Sequence, residues 1–278
     1  MDDLFPPFAP EPNEPKPRRF KPVPVRMIIP NMITLMAVCL GLTAVRFGFE
    51  GKFEPAVIAI IAAAVLDGVD GRVARLLKGT SRFGAELDSL ADFVNFGCAP
   101  ALILYTFVLH NLKSLGWIVA LIFAIAMALR LARFNVMLDD PNRPEWKKDF
   151  FVGMPAPAGA LTVMLPLYLH FLGFEMVPSL APVALIYMLV IALLVISTVP
   201  TFSGKTIGKR VPREYVLPIF VVTVAAFGLL ISFPFEILAL LSIGYLVAIP
   251  IGAAQYRRKL KAEAAQGPSL PSDEAPAA

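Results

Sequence analysis

Four aspartates at helical spacing are the residues of this sequence best suited to chemistry. Asp67 and Asp70 stand three residues apart, and Asp88 and Asp92 stand four residues apart. At about 100° per residue, the members of each pair share one face of a helix. If the two helices pack as a hairpin, four carboxylates converge on one small volume. Like charges that close cannot all stay ionised unless a cation compensates them.

The donor set of this cluster indicates which cation it would hold. Carboxylate oxygens with no neighbouring His or Cys suit Mg²⁺ or Mn²⁺ rather than Zn²⁺. Two metal ions that share such carboxylates are an arrangement used for phosphoryl transfer. We therefore expect two divalent ions, Mg²⁺ or Mn²⁺, at these aspartates.

The rest of the chain must hold these helices in a membrane. Of its 278 residues, 57% are hydrophobic and 17% are charged, and the mean hydropathy is +0.71. The apolar residues fall in runs of about 20, the length that spans a bilayer. We therefore predict an all-α polytopic integral membrane helical bundle with about eight transmembrane helices. The predicted segments are 28–49, 54–77, 84–109, 115–135, 156–173, 179–200, 213–232 and 235–254.

Proline and charge divide the chain into three parts. Residues 1–26 hold eight prolines and are predicted to form a disordered tail, 27–255 form the transmembrane domain, and 256–278 form a second disordered tail. Lys and Arg concentrate in both tails and in one set of connections, which the positive-inside rule assigns to the cytoplasm. The aspartates lie on that side. Cys39 and Cys98 lie in apolar segments, so neither a disulfide framework nor a zinc site is expected.

The aspartate stretch resembles the signature of the CDP-alcohol phosphatidyltransferase family. It reads Asp-x-x-Asp-Gly-x-x-Ala-Arg from Asp67, and after eight residues Gly-x-x-x-Asp-x-x-x-Asp to Asp92. The resemblance implies a six-helix core in a membrane enzyme that moves a phosphatidyl group from a CDP-linked lipid to an alcohol and releases CMP. It implies that Asp67, Asp70 and Asp88 hold the metals, and that Asp92 is the general base and can also touch a metal.

The same resemblance implies a set of residues that bind the CDP-lipid. Gly71 and Ala74 are small enough to admit a cytosine ring, and a Pro-Asn-x-x-Thr motif near the diphosphate matches the start of the first span. The expected set is Asn31, Thr34, Asp70, Gly71, Ala74, Arg75 and Gly84. Taken alone, Gly71, Ala74 and Gly84 are typical of helix packing, and Asn31 and Thr34 fit a simple helix cap equally well.

Two further stretches bear on the acceptor alcohol. Arg130-x-x-Arg133-Phe-Asn and a Phe-x-Gly-Met-Pro-x-Pro-Ala run from Phe151 resemble stretches of family members that use serine. This implies transfer from CDP-diacylglycerol to L-serine, giving phosphatidylserine and CMP, with Arg130 and Arg133 on the serine carboxylate. Glycerol-3-phosphate, an inositol phosphate or choline remain alternative acceptors. Taken alone, the two arginines also fit snorkelling anchors at a helix end.

An ion-coupled transporter is the alternative from a different class of protein. An ion-coupled transporter can hold a cation at intramembrane carboxylates, but such proteins often carry inverted repeats and broken helices, and this chain has no evident repeat. The family resemblance places the enzyme in a bacterial-type inner membrane. The Lys and Arg distribution, with an even number of eight spans, predicts that both termini are cytoplasmic. It also implies a homodimer and no nucleic-acid partner.

Overall fold

The described part of the protein is a bundle of α-helices. The computed structural model describes residues 25–77, 79, 81–138, 150–202 and 213–266. The helices are α1 Val25–Phe49, α2 Phe53–Leu76, α3 Arg82–Asp92, α4 Ala99–Phe107, α5 Ser114–Leu138, α6 Ala156–Val163, α7 Leu165–Phe171, α8 Ala181–Ile196, α9 Arg213–Ser232 and α10 Pro234–Gln266. A π-helical segment, Phe93–Cys98, joins α3 to α4. Two short strands, β1 (Phe150–Val152) and β2 (Pro200–Phe202), pair antiparallel.

The predicted fold class is confirmed, and all eight predicted segments fall on helices. Six stretches in the described residues are long and apolar enough to cross a membrane, fewer than the eight predicted. They are Ile28–Phe49, Arg82–Phe107, Ser114–Val136, Pro178–Ile196, Tyr215–Ser232 and Pro234–Tyr256. The predicted segments 54–77 and 156–173 are not among these six stretches, and each has a local reason. The α2 helix carries Glu54, Asp67, Asp70 and Arg72, and the fifth segment is broken into α6 and α7 around Met164.

The predicted tails fall mostly outside the described residues. Residues 1–24 and 267–278 are not described. At the C-terminal end, α10 continues to Gln266, past the predicted end of the transmembrane domain at residue 255. The basic connections around Lys147 and Lys209 also lie outside the described residues.

The first helix organises the half of the bundle that carries the aspartates. A stripe of residues at spacings of three and four is buried along α1: Thr34, Ala37, Gly41, Ala44 and Gly48. Small side chains allow neighbouring helix backbones to approach closely inside a membrane. Helix α1 makes its largest contact with α2 and also packs against α3, the π-helical segment and α4. By contrast, α2 and α3 make at most marginal contact with each other.

Gly41 lies against the side chain of Asn95. A Cβ at position 41 would overlap Asn95 Oδ1 and lie 3.0 Å from Asn95 Cγ. Asn95 belongs to the π-helical segment and is fully buried, and within the described residues neither atom of its amide has a hydrogen-bond partner. The glycine therefore leaves the space into which this polar side chain packs.

Gly41→Ala is expected to destabilise the bundle by about 1–3 kcal/mol, the usual cost of forcing extra volume into a packed interior. The measurement is thermal unfolding in detergent. Gly244→Ala is the matched control, because a Cβ added there meets no atom within 4 Å. Adding Asn95→Ala to Gly41→Ala should recover stability. If the double variant is no more stable than Gly41→Ala, the overlap with Asn95 is not the cause.

Candidate functional site

Three of the four aspartates form one cluster. Asp67 and Asp70 of α2 and Asp88 of α3 each offer a carboxylate oxygen, and these oxygens lie within 4.8 Å of one another. Helical spacing puts the first two on one face of α2, and the packing of both helices on α1 brings the third opposite them. Asp70 is buried, with 3% of its surface exposed.

Asp92 lies at the edge of this cluster. Its carboxyl group is within hydrogen-bonding reach of Asp67. Its Oδ1 atom is buried, and within the described residues it has no hydrogen-bond partner. A buried carboxylate oxygen without a donor is costly, so this atom is available to a ligand. The four predicted carboxylates therefore converge, with three in the cluster and Asp92 beside one of them.

A threonine on α1 fixes the orientation of Asp70. Thr34 Oγ1 donates to Asp70 Oδ2 at 2.6 Å and also lies 3.1 Å from the Pro30 carbonyl. Thr34 is buried, so this hydrogen bond is shielded from water. It joins α1 to α2 at the level of the cluster.

A second local feature positions α3. Ser81 is the N-cap of this helix, and its hydroxyl accepts a hydrogen bond from the Gly84 amide at 3.0 Å. Such a cap satisfies one of the free amides at a helix start. Because Asp88 is one turn beyond Gly84, the cap sets where the helix that carries Asp88 begins.

A pocket of about 440 Å³ opens between α1, α2 and α3 beside the cluster. This volume is within the range of small-molecule sites, about 300–1,000 Å³. Both α2 and α3 pack on α1 and make at most marginal contact with each other, and the pocket is lined by residues of all three helices. Its lining consists of Pro30, Asn31, Thr34, Asp70, Gly71, Ala74, Arg75, Gly79, Ser81, Gly84, Ala85 and Asp88.

All seven residues predicted to bind the CDP-lipid line this one pocket. Gly71 faces open space, since a Cβ there would meet no atom within 4 Å. At Gly84 a Cβ would come within 3.0 Å of Asn31 Oδ1 and 3.1 Å of Ser81 Oγ. A side chain at 84 would therefore crowd two polar groups of the pocket wall.

The two predicted acceptor arginines are held differently. Arg130 is buried, and its Nε donates to the Met154 carbonyl at 2.8 Å. Its guanidinium lies 5.7 Å from the centre of the Phe134 ring and interacts electrostatically with Asp92. Arg133 is half-buried and donates to two carbonyls at the end of α8. Neither arginine lines the pocket. Both therefore lie outside the group of residues predicted to bind the CDP-lipid.

The donor set fits a hard divalent cation. Three carboxylates converge, and carboxylate oxygens are the ligands that Mg²⁺ and Mn²⁺ prefer. Among the acidic, His and Cys side chains of the described residues, these three have ligand atoms close enough to one another to hold a metal ion. Without a cation, the charges would repel one another in a partly buried site. Asp67, Asp70 and Asp88 are therefore the residues that would hold it.

Several contacts of the site were not predicted from the sequence. Ser81 could have been found, because a serine just before a helical run is a start signal. The carbonyl of Met154 carries no such signal, because any residue type supplies one. Asn135 Nδ2 donates to Ser89 Oγ at 2.9 Å, which ties α5 to the helix that carries Asp88. This contact joins residues 46 positions apart and depends on the packing of the bundle.

Comparison with known proteins gives consistent matches. A family model described as CDP-alcohol phosphatidyltransferase matches residues 27–199, and one described as CDP-alcohol phosphatidyltransferase 2 matches residues 214–250.

Three relatives illustrate the range of coverage of this chain. A protein of Mycobacterium leprae is 41% identical over 83% of this chain and 76% of its own length. One of Mycobacterium tuberculosis is 38% identical over 83% and 79%, and one of Bacillus subtilis is 38% identical over 49% and 74%. Each of these relatives is named CDP-diacylglycerol–serine O-phosphatidyltransferase.

Proposed function

Because this chain belongs to the CDP-alcohol phosphatidyltransferase family, we propose that it transfers the phosphatidyl group of CDP-diacylglycerol to L-serine. The serine hydroxyl oxygen forms a new bond to the phosphorus that carries the diacylglycerol. The bond from that phosphorus to the CMP oxygen breaks, and the serine hydroxyl proton passes to a base on the enzyme. The products are phosphatidylserine and CMP.

The observation that carries this proposal is the carboxylate cluster at the wall of the pocket. Asp70 and Asp88 belong to both, since each is in the cluster and each lines the pocket. A nucleotide diphosphate in the pocket would therefore have its phosphates at the carboxylates. Arg75 also lines the pocket, and its planar donor fork suits a phosphate group.

We propose that the bound cations are two Mg²⁺ or Mn²⁺ ions. When bound, they would neutralise charge on the phosphoryl oxygens and on the departing CMP. Titration of the purified protein with Mn²⁺, read by calorimetry, is expected to give two equivalents. A single equivalent in the presence of CDP-diacylglycerol would contradict the two-ion proposal.

Asp92 is the residue proposed to accept the serine proton. Its Oδ1 is buried and has no partner within the described residues. It is beside Asp67, so it is next to the cluster without being one of the three carboxylates grouped there. A base in that position can take a proton from a hydroxyl that attacks a phosphate held at the cluster.

Arg130 is the residue proposed to bind the serine carboxylate. Its Nε is used by Met154, and this is the one hydrogen bond that Arg130 makes within the described residues. Within the described residues its two terminal nitrogens make no hydrogen bond, and a guanidinium can bind a carboxylate through two such nitrogens. The electrostatic interaction with Asp92 is consistent with an acceptor site between the base and Arg130. The names of the relatives support serine as the acceptor.

The protein is an integral membrane protein, and we propose that its site faces the cytoplasm. The distribution of Lys and Arg supports this orientation. We also retain as proposals the three-part division at residues 26 and 255 and the homodimer implied by the family. Crosslinking in native membranes tests the dimer, and a tag at either terminus tests the orientation.

The experiment that tests the proposed function is CMP release by the full-length protein in detergent. The protein is supplied with CDP-diacylglycerol, Mn²⁺ or Mg²⁺, and one alcohol: L-serine, glycerol-3-phosphate, an inositol phosphate or choline. Release that depends on L-serine is the expected result. Release with another alcohol instead would overturn the serine assignment and leave the metal-dependent transfer standing. Failure with all four would overturn the proposed transfer.

Arg130→Gln is expected to raise the KM for serine by about 10–100-fold, the equivalent of losing a hydrogen bond to a charged group. The KM for CDP-diacylglycerol should stay within about two-fold, because a group that does not touch a ligand leaves its binding unchanged. Steady-state kinetics with each substrate varied in turn measure both. Arg46→Gln is the control, since Arg46 is an exposed arginine paired with Glu50. Equal effects on both substrates would point away from a role in serine binding.

A further inference from the structure

The end of α8 is held by Arg133. Its Nη1 donates to the Ile196 carbonyl at 2.6 Å, and its Nη2 donates to the Ser197 carbonyl at 3.0 Å. The α8 helix ends at Ile196, and the last carbonyls of a helix have no partner within it. A cation there also matches the negative end of the helix dipole. Both terminal nitrogens of Arg133 are thus engaged by the protein itself.

The segment before α6 is packed against the same helix end. Strand β1 pairs with β2, with Val152 opposite Pro200, and the Gly153 amide donates to the Val199 carbonyl at 2.9 Å. Gly153 has a φ of +76°, a conformation that favours glycine. A Cβ at Gly153 would lie 2.6 Å from the Ser197 carbonyl oxygen and 3.0 Å from Arg133 Nη2. Only glycine lets this segment reach the end of α8.

The next residue connects this arrangement to the proposed acceptor site. Met154 is fully buried, and its carbonyl accepts the hydrogen bond from Arg130 Nε at 2.8 Å. A guanidinium is rigid and planar, so a bond at Nε sets the direction in which the two terminal nitrogens point. The position of the Met154 carbonyl therefore sets the direction of the Arg130 fork.

We propose that Arg133 is a positioning residue for the acceptor site and not a ligand of the acceptor. Arg133 binds the carbonyls at the end of α8 and so stabilises that end. The segment after α8 binds Gly153, and the neighbouring Met154 carbonyl orients Arg130. The family resemblance, by contrast, implies that both arginines bind the serine carboxylate. This inference depends on one part of the proposed function, namely that Arg130 binds the acceptor.

A double-mutant cycle on the serine KM distinguishes the two roles. Arg133→Gln alone is expected to raise the serine KM by about ten-fold and to leave the KM for CDP-diacylglycerol within about two-fold. In an Arg130→Gln background, the same change should add less than about two-fold, because the residue through which Arg133 acts is already gone. If the two effects multiply in full, Arg133 binds the acceptor independently and the proposal is wrong.

Gly153→Ala tests the same link without removing a charge. The added Cβ crowds the Ser197 carbonyl and Arg133, so the serine KM should rise as it does in Arg133→Gln. Gly173→Ala is the matched control, because Gly173 also has a positive φ, +95°, but a Cβ there meets no atom within 4 Å. A normal serine KM in Gly153→Ala would overturn the proposal.

Hydrogen exchange gives a readout that does not depend on the acceptor. In the full-length protein in detergent, Arg133→Gln is expected to speed exchange of the Gly153 amide, which is bonded to Val199. Arg133→Lys keeps the charge and can reach one of the two carbonyls, so it should give intermediate exchange and an intermediate KM. Unchanged exchange in Arg133→Gln would overturn the proposal. If the unmodified protein releases no CMP with serine, the proposed function fails, and the exchange result still decides the role of Arg133.

Discussion

Asp70→Asn is expected to reduce metal-dependent CMP release by at least about 100-fold, since residues that merely orient a metal ligand already contribute 10–100-fold. Asparagine has nearly the same shape and can still accept the hydrogen bond from Thr34. The helix contact should therefore survive, while a neutral amide oxygen is a poor ligand for a hard cation. The measurement is CMP release at saturating CDP-diacylglycerol across a range of Mn²⁺ concentrations.

Thermal unfolding separates loss of the metal site from loss of the fold. In EDTA, Asp70→Asn should be at least as stable as the unmodified protein, because one of the clustered like charges is removed. With Mn²⁺, the unmodified protein should gain more stability than the variant, since a ligand stabilises the state that binds it.

Glu86→Gln is the matched control for Asp70→Asn. Glu86 is an exposed acid on α3 and lies outside the cluster, so both activity and metal response should be unchanged. Near-normal CMP release by Asp70→Asn would remove Asp70 from the metal site.

Asp92→Asn is expected to lower kcat by about 10²–10⁴-fold, the usual contribution of a general base. The amide cannot accept the serine proton, although it fills the same space beside Asp67. The half-saturating Mn²⁺ concentration and the KM for CDP-diacylglycerol should change little, because the three clustered carboxylates remain. Steady-state kinetics with serine, Mn²⁺ and the lipid each varied in turn measure these quantities.

Asp88→Asn provides the comparison for Asp92→Asn. Asp88 is on the same helix, one turn earlier, and belongs to the cluster, so this change should raise the required Mn²⁺ concentration as well as lower kcat. If Asp92→Asn shifts the metal requirement as strongly as Asp88→Asn, then Asp92 acts mainly as a metal ligand. The two roles that the family resemblance implies for Asp92 are separated in this way.

The local features of the site could be predicted from the sequence because they depend on helical periodicity. Spacings of three and four residues put Asp67 beside Asp70 on one face of α2, whatever the rest of the chain does. The apolar segments are equally readable, since a bilayer requires long apolar helices, and all eight coincide with helices. Six stretches, not eight, have the length and composition of a membrane span. Charged residues, Asp67 and Asp70 among them, interrupt the α2 segment, and a break near Met164 divides the fifth segment.

The family, the membrane fold and the seven residues proposed to bind the CDP-lipid can be predicted from motif spacing and hydropathy. The arrangement of the helices around these residues cannot, because it depends on tertiary packing. Tertiary packing brings α2 and α3 onto α1 around the pocket, and it places Asn95 against Gly41. It also bonds Arg133 to carbonyls more than 60 residues away. Periodicity defines which residues share a face of one helix, but which backbone atoms meet that face depends on packing between distant segments.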